Sequence, residues 1–405
     1  MRTSRTKQKL KNIIAKHWPR ISLLLQDKIP SYVFKSFQNI LLCRTEKLGC
    51  RVYRCPDCGK RFIVHHSCKD RFCSSCGTFK TDIWAAKTVY MLSSIAAKYV
   101  FLTFTITKPL EKLAKYNKKI VLNLLFKAAW YAVRSYCHKK DIIPGMIAQL
   151  QTAGRWLNWH PHIHIVLTFG GLLLDHSSWK NISLNAKSIG QRFKSKFLQL
   201  LRKEFKKKTL ITNFKSYKQF NKFLDQQYKQ HWQFDRSDPI GRVKAVILYI
   251  SRYLLKPPIS DTRIRWFNYK TVCFTFKDWQ THLKKDYCIS MLEFFSRLIH
   301  HVPITSFHMT RNYGLFSSKS KTKLLPKVQQ LLPPPYSVEL FVKEPKKNFR
   351  ERTKDKTGKD PLICPDCNTE LLLEMVYVRN QLTVTFDELL SRLRDPPNKK
   401  SSSSN

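Results

Sequence analysis

Two CxxC pairs, Cys55-Pro-Asp-Cys58 and Cys73-Ser-Ser-Cys76, stand fourteen residues apart in a stretch, Cys43 to Cys76, that holds seven of the 12 cysteines in the chain. Each pair can set two thiolates on one side of a tetrahedral ion, and the loop between them can return the second pair to the first. Gly59 and Gly77 follow the two pairs and suit tight knuckle turns. The expectation is one zinc ion held by Cys55, Cys58, Cys73 and Cys76. Cys43, Cys50, Cys68, His65 and His66 lie close enough in sequence to complete a second site or to substitute in the first, and spacing does not choose among them. A later Cys364-Pro-Asp-Cys367 repeats the first pair with no partner pair nearby.

The N-terminus, MRTSRTKQKLKNIIAKHW, contains no apolar run long enough for a signal-peptide core. Tyr99–Ile106 is apolar but only strand-sized, so no membrane span is expected. The protein is expected in a reducing cytoplasm, where thiols serve better as metal ligands than as disulfides. The 405 residues carry 74 Lys+Arg against 27 Asp+Glu, a formal net charge of +47, while 43% of residues are hydrophobic. Such a chain folds, and its self-repulsion points to a polyanionic partner, nucleic acid. With only 11 Gly and neither GxxxxGK[ST] nor GxGxxG, ATP or NAD chemistry is not expected.

Hydrophobic periodicity predicts a helix over residues 83–99, a strand over 100–107 ended by Lys108-Pro109, and a helix over 110–138. Strands follow at 146–152 and 160–168, the second closing on Gly170-Gly171. Residues 183–232 read as a Lys-rich helical insertion with Phe193, Phe197, Leu200, Leu201 and Phe205 on one face, its charges a solvated or DNA-facing surface. Residues 242–255 read as a helix stopped by Pro257-Pro258, residues 271–276 as a strand and residues 289–299 as a helix. Residues 317–335 and 344–359 have the composition of linkers or phosphate-contacting segments, and residues 399–405 that of a disordered tail. The order β-α-β-β belongs to an α+β class.

Two constellations carry chemistry. In His160-Pro-His162-Ile-His164, alternate residues of a strand share a face, so three imidazoles converge there while Ile163 and Ile165 face the other way. Imidazoles on a rigid strand suit a divalent metal with positions left for a substrate oxygen. In Tyr249-Ile-Ser-Arg-Tyr253, two phenols share one helix face at i and i+4, and a phenol can be a covalent nucleophile. Arg252 and Lys256, on the same helix, can contact phosphate or favour the phenolate.

Taken in order, these motifs resemble the rolling-circle transposases of bacterial insertion sequences, the HUH-type, two-tyrosine family with an N-terminal zinc-binding region. The resemblance runs over Cys43-Arg-Thr, the CPDCG turn at Cys55, Ser67-Cys68-Lys-Asp-Arg-Phe-Cys73, the strand Phe101-Leu-Thr-Phe-Thr, the histidine strand, the tyrosine pair and Arg311-Asn-Tyr-Gly314. The sequence departs from the family pattern at Cys50, where glycine is common, and at Phe72, where histidine is common. The resemblance implies an antiparallel-sheet nuclease core with packed helices, preceded by a small zinc-binding domain. It implies an endonuclease and strand transferase acting on single-stranded DNA at transposon ends and on target DNA. In this family Mg²⁺ or Mn²⁺ sits on the histidine pair, here His162 and His164, and one of the tyrosines, here Tyr249 and Tyr253, attacks to leave a 5′-phosphotyrosine. The third metal ligand is expected to be His160, with Gln151 its competitor on the neighbouring strand.

The domain division expected is a zinc-binding DNA-recognition region over 1–85, a nuclease domain over 86–280, a C-terminal extension over 281–345, and a charged linker, CxxC piece and tail over 346–405. A plasmid replication initiator or relaxase would share the histidine and tyrosine chemistry. A non-catalytic zinc-dependent DNA-binding protein would need neither, and metal-dependent nicking of single-stranded DNA separates the two.

Overall fold

A computed structural model describes residues 8–25, 29–241, 258–278, 280–333, 348, 350–351, 353–354, 358–378 and 381–385. The architecture is α+β, with helices packed on antiparallel sheets. The expected helix over 242–255, most of the charge run over 344–359 and the terminal tail lie outside the described residues.

Helices α1 (Lys9–Leu24) and α2 (Ser31–Leu42) open the chain. Their apolar stripes bury Ile13, Ile14, Trp18, Val33 and Phe37, and Trp18 meets Phe37 edge-on at 4.4 Å. A hairpin follows, β1 (Gly49–Arg54) and β2 (Arg61–His65), turning through Cys55–Cys58. After α3 (Ser74–Ser93) comes β3 (Tyr99–Phe104). The expected single helix over 110–138 is two, α4 (Lys108–Tyr116) and α5 (Lys118–His138). Asn117 makes the break: its side-chain amide donates to the Leu113 and Ile211 carbonyls, while its oxygen accepts from the Ile211 N–H. A side chain that satisfies backbone groups in this way competes with helix continuation.

Next come β4 (Ile142–Ile143), β5 (Gly145–Ala153), β6 (Trp159–Thr168), β7 (Gly171–Leu173) and β8 (Trp179–Lys180). The Lys-rich insertion folds as α6 (Ala186–Lys206) and α7 (Tyr217–Lys229), burying Phe193, Phe197 and Leu201 in the main core. Strand β9 (Phe234–Arg236) precedes a three-stranded sheet of β10 (Ile264–Phe267), β11 (Thr271–Lys277) and β12 (Lys284–Ser290). Residues 289 and 290, expected in a helix, close β12, and Ser290 caps the helix Met291–His301 by accepting from the Glu293 N–H at 3.1 Å. Cys273 and Cys288 stand directly opposite on β11 and β12 with Cα atoms 4.1 Å apart and are joined by a disulfide, against the expectation of free or metal-bound thiols.

Strand β13 (Thr310–Gly314) completes the main sheet, whose order is β13-β5-β6-β3-β9. The histidine strand β6 therefore lies at its centre, hydrogen-bonded on both sides. The stretch after Ser317, expected as a linker, is the helix Ser318–Leu331; its Leu325 and Val328 are buried with Phe101, Ile147, Val166 and Phe316. The last strands, β14 (Leu372–Val378) and β15 (Gln381–Thr385), pair with the N-terminal hairpin in the order β15-β14-β1-β2. Among the described residues no helix is long and apolar enough to cross a membrane.

Candidate active site and cysteine clusters

On β6, Ile163 and Ile165 are buried in the core beside Leu102, Phe104, Ala148 and Leu150. That packing fixes the strand's orientation and sends His160, His162 and His164 to the other face. Successive imidazole centroids in the row are 4.9 and 4.8 Å apart. Register places Gln151 of β5 opposite His162, and both Gln149 of β5 and Thr103 of β3 opposite His164.

The hydrogen bonds define what each ring can do. His162 Nδ1 is 2.6 Å from the His160 carbonyl oxygen, so Nδ1 carries the proton and Nε2 the lone pair. His164 lies between Thr103 Oγ1, 3.2 Å from Nδ1, and Gln151 Oε1, 3.0 Å from Nε2. Burial lowers the pKa of His162 to about 3 and that of His164 to about 4, with the neighbouring histidines adding to the effect. Both are neutral imidazoles at physiological pH, the form that ligates metal.

His160 is held differently. Its Nδ1 lies 2.5 Å from Oε1 of Glu111, a carboxylate 5% exposed in the first turn of α4, which also accepts from Lys108 Nζ at 3.1 Å. The indole N–H of Trp159 donates to the Glu111 carbonyl at 2.9 Å, which ties α4 to the start of β6. Glu111 was not singled out by sequence. Its one signal was position, an acid in the first turn of a helix that carries Pro109 near its start and follows β3 by three residues.

Separation of ligand atoms tests whether a divalent ion fits. Two ligands at right angles, each about 2.1 Å from an octahedral ion, are about 3.0 Å apart. Gln151 Oε1 and His164 Nε2 stand at that separation, which is also the length of the hydrogen bond between them. Thr103 can take the His164 Nδ1 proton once Nε2 is given to a metal, the usual outer support of a ligating histidine. Tyr249, Tyr253, Arg252 and Lys256 lie outside the described residues.

The cysteines sort differently from their spacing. Cys43, Cys68, Cys73 and Cys76 form one group with all Sγ atoms within 4.8 Å of one another; Cys55 and Cys58 gather instead with Cys364 and Cys367. The two CxxC pairs do not share an ion because β1 and β2 carry Cys55 and Cys58 to the far end of the hairpin, while the return strand leads directly into Cys68. In the first group the Cys43–Cys76 and Cys68–Cys76 sulfurs are 3.6 Å apart and the Cys43–Cys73 sulfurs 3.8 Å. A tetrahedron with Zn–S bonds of about 2.3 Å has edges of about 3.8 Å. Hydrogen bonds from Cys43, then Cys68 and Cys73, hold the Cys76 thiol far below its ordinary value, and bonds from Cys68 and Cys73 bring Cys43 to about 7.

Asp70 braces this cluster, accepting from the Phe72 N–H at 2.8 Å, Ser36 Oγ at 3.1 Å and Asn39 Nδ2 at 3.3 Å. Phe72, where the family commonly has histidine, is buried and stacks on Phe37 at 6.0 Å, so it packs rather than ligates. Arg71 donates to the Phe307 carbonyl at 2.7 Å and joins the cluster to the main domain. Cys50 and His65 face each other across the hairpin and join neither cluster.

Residues 13–106 match the family model described as "Transposase zinc-binding domain", and residues 145–323 match the one described as "Putative transposase". The chain is similar to the transposase for insertion sequence element IS801 of Pseudomonas savastanoi pv. phaseolicola, at 27% identity over 91% of this chain and 89% of that protein. It is also similar to the protein described as "Putative transposase y4qJ" of Sinorhizobium fredii, at 28% identity over 81% of this chain and 85% of the relative. No solved structure matches it.

Proposed function

We propose that this chain, which matches two transposase family models, is an insertion-sequence transposase that nicks and rejoins single-stranded DNA at element ends through a 5′-phosphotyrosine intermediate. The observation that carries this reading is the row of histidines on the central strand, of which His162 and His164 are neutral imidazoles, with the amide oxygen of Gln151 against His164.

His162 and His164 would hold a divalent cation, Mg²⁺ or Mn²⁺, with a third ligand from His160, whose Nδ1 alone is engaged by Glu111, or from Gln151, whose Oε1 touches His164 Nε2. Such an ion supplies charge neutralisation to a scissile phosphate and orients it. The His160 carbonyl fixes the His162 tautomer, and Thr103 steadies the ring of His164. Glu111 anchors His160 at the end of the row. Tyr249 or Tyr253 then attacks phosphorus; the new Tyr–O–P bond replaces the P–O3′ bond, and the departing strand leaves as a 3′-hydroxyl. The energy of the broken phosphodiester stays in the phosphotyrosine, so rejoining to another 3′-hydroxyl reverses the same step. A second tyrosine allows another cleavage before the first is resolved. Arg252 and Lys256 contact the phosphate backbone, the zinc-bearing region recognises the element end, and the net charge of +47 supplies general affinity for DNA.

Incubation with single-stranded terminus oligonucleotides and Mn²⁺, followed by a denaturing gel, tests this reading. A covalent protein–DNA band is expected, persisting in Tyr249→Phe and Tyr253→Phe singly and vanishing in the double variant. A covalent band in the double variant places the nucleophile elsewhere. No nicking under any divalent ion removes the enzymatic reading and leaves a zinc-dependent DNA-binding protein.

A further inference from the structure

Cys364 and Cys367 lie beyond residue 323, outside both family models, yet they stand beside Cys55 and Cys58, with Cys58 and Cys364 Sγ 3.8 Å apart. The two Cys-Pro-Asp-Cys turns are built alike. Gly59 N–H bonds the Cys55 carbonyl and Asn368 N–H the Cys364 carbonyl, both at 3.0 Å. Gly59 and Asn368 both take left-handed backbone, φ 70° and 58°, the conformation that glycine and asparagine accept most readily. Cys55 N–H bonds the Lys60 carbonyl at 2.9 Å and Cys364 N–H the Thr369 carbonyl at 2.8 Å. Each turn thus aims two sulfurs the same way, and the turns face each other.

What surrounds them is too slight to hold two distant pieces of chain together. The buried cluster consists of Cys55, Cys364 and Leu371, with Tyr53 and Phe62 half-buried against it. Lys60–Asp366 and Arg61–Glu374 pair across the junction, but Lys60, Asp366 and Arg61 are largely exposed, and Thr369 Oγ1 bonds Asp57 at the surface. Exposed ion pairs contribute little, and a structure with so small a core ordinarily needs a metal or a disulfide. The four thiols are free of disulfides and lie within 4.8 Å of one another, with Cys58 and Cys364 at the edge length of a tetrahedral thiolate site. Four soft sulfur ligands in that arrangement select zinc over a hard cation.

We propose that Cys55, Cys58, Cys364 and Cys367 bind a second zinc ion that clasps the C-terminal strands β14 and β15 onto the N-terminal hairpin. The site shares no ligand with the Cys43 cluster, and the proposal does not depend on the nuclease reading.

Metal analysis and X-ray absorption of the purified full chain test it. Two zinc ions per chain, each in all-sulfur coordination, are expected. Cys55→Ser/Cys58→Ser and Cys364→Ser/Cys367→Ser should each remove one ion, and the four-fold variant should still hold one, because both pairs serve the same site. Cys367→His should keep two ions and add one nitrogen to the zinc coordination. One zinc in the unaltered chain overturns the proposal, as does a further loss of metal when the two double variants are combined.

Discussion

The main sheet and the terminal ribbon are both antiparallel, and they differ in what holds them. The sheet β13-β5-β6-β3-β9 is covered on both faces by apolar side chains, one face toward Phe126, Phe193 and Phe197 and the other toward Met91, Phe316 and Leu325. Each such fully buried side chain contributes about 1.5–3 kcal/mol, so a core of this size tolerates a row of imidazoles on its central strand. The ribbon β15-β14-β1-β2 buries Cys55, Cys364 and Leu371, while Ile63 and Leu372 remain exposed. In the sheet a metal would be a reagent carried by a finished scaffold; in the ribbon it is part of the scaffold.

The largest test of that contrast is zinc removal. Structural zinc supplies on the order of 10–16 kcal/mol to small metal-dependent folds. A strong chelator should therefore make amide protons of β1, β2 and residues 68–77 exchange rapidly while β3, β5 and β6 keep their protection, as read by hydrogen–deuterium exchange. Equal loss in both regions would break the contrast. Next in size, His162→Ala or His164→Ala should reduce single-strand nicking on the order of 10³-fold, about 4 kcal/mol, with the sheet still folded and DNA binding largely intact. Loss of sheet circular dichroism in these variants would mean that the row is structural.

Acid should act on the main sheet through its histidines. Burial lowers His162 to about 3 and His164 to about 4; it also lowers to about 4 His301, which ends the helix Met291–His301 with its Nδ1 3.1 Å from Thr152 Oγ1 of β5. The unfolded chain takes up protons near pH 6.5 while the folded one does not, so the stabilisation is complete above that value. It is lost as pH falls from about 6.5 toward 4, by about 1.4 kcal/mol per unit for each group. Urea midpoints at pH 7.5 and 5.5 should differ accordingly, and the difference should shrink in His301→Gln. The smallest effect expected is Glu111→Gln, which keeps the shape of the carboxylate but weakens its hold on His160. Nicking should fall about 10–100-fold, the usual range for a group that orients a ligand, with zinc content unchanged.

Legibility in the sequence followed the reach of each interaction. Strand β6 was readable because alternation of His and Ile over residues 162–165 is a local signal, and its central place follows from apolar neighbours on both sides. The break at Asn117 was not, since its side chain is satisfied by Ile211, far along the chain. Glu111 was hidden for the same reason: its partner His160 is 49 residues away. The cysteines give the clearest lesson. Spacing alone pairs Cys55/Cys58 with Cys73/Cys76, whereas the fold pairs them with Cys364/Cys367, because β1 prefers β14 as its second neighbour. The repeated CPDC was visible in the sequence, but nothing local said that the two copies meet.

The pairing of β1 with β14, Gly49 opposite Val378, also sets an order in time. A ribosome adding roughly 5–20 residues per second needs on the order of 15–60 s to travel from the first of these strands to the second. Throughout that interval the nascent hairpin lacks its neighbour, however complete the central sheet has become. A message cut short before residue 378 therefore yields a chain with the histidine strand but an unfinished ribbon, so full-length synthesis is itself a checkpoint on what the molecule can bind.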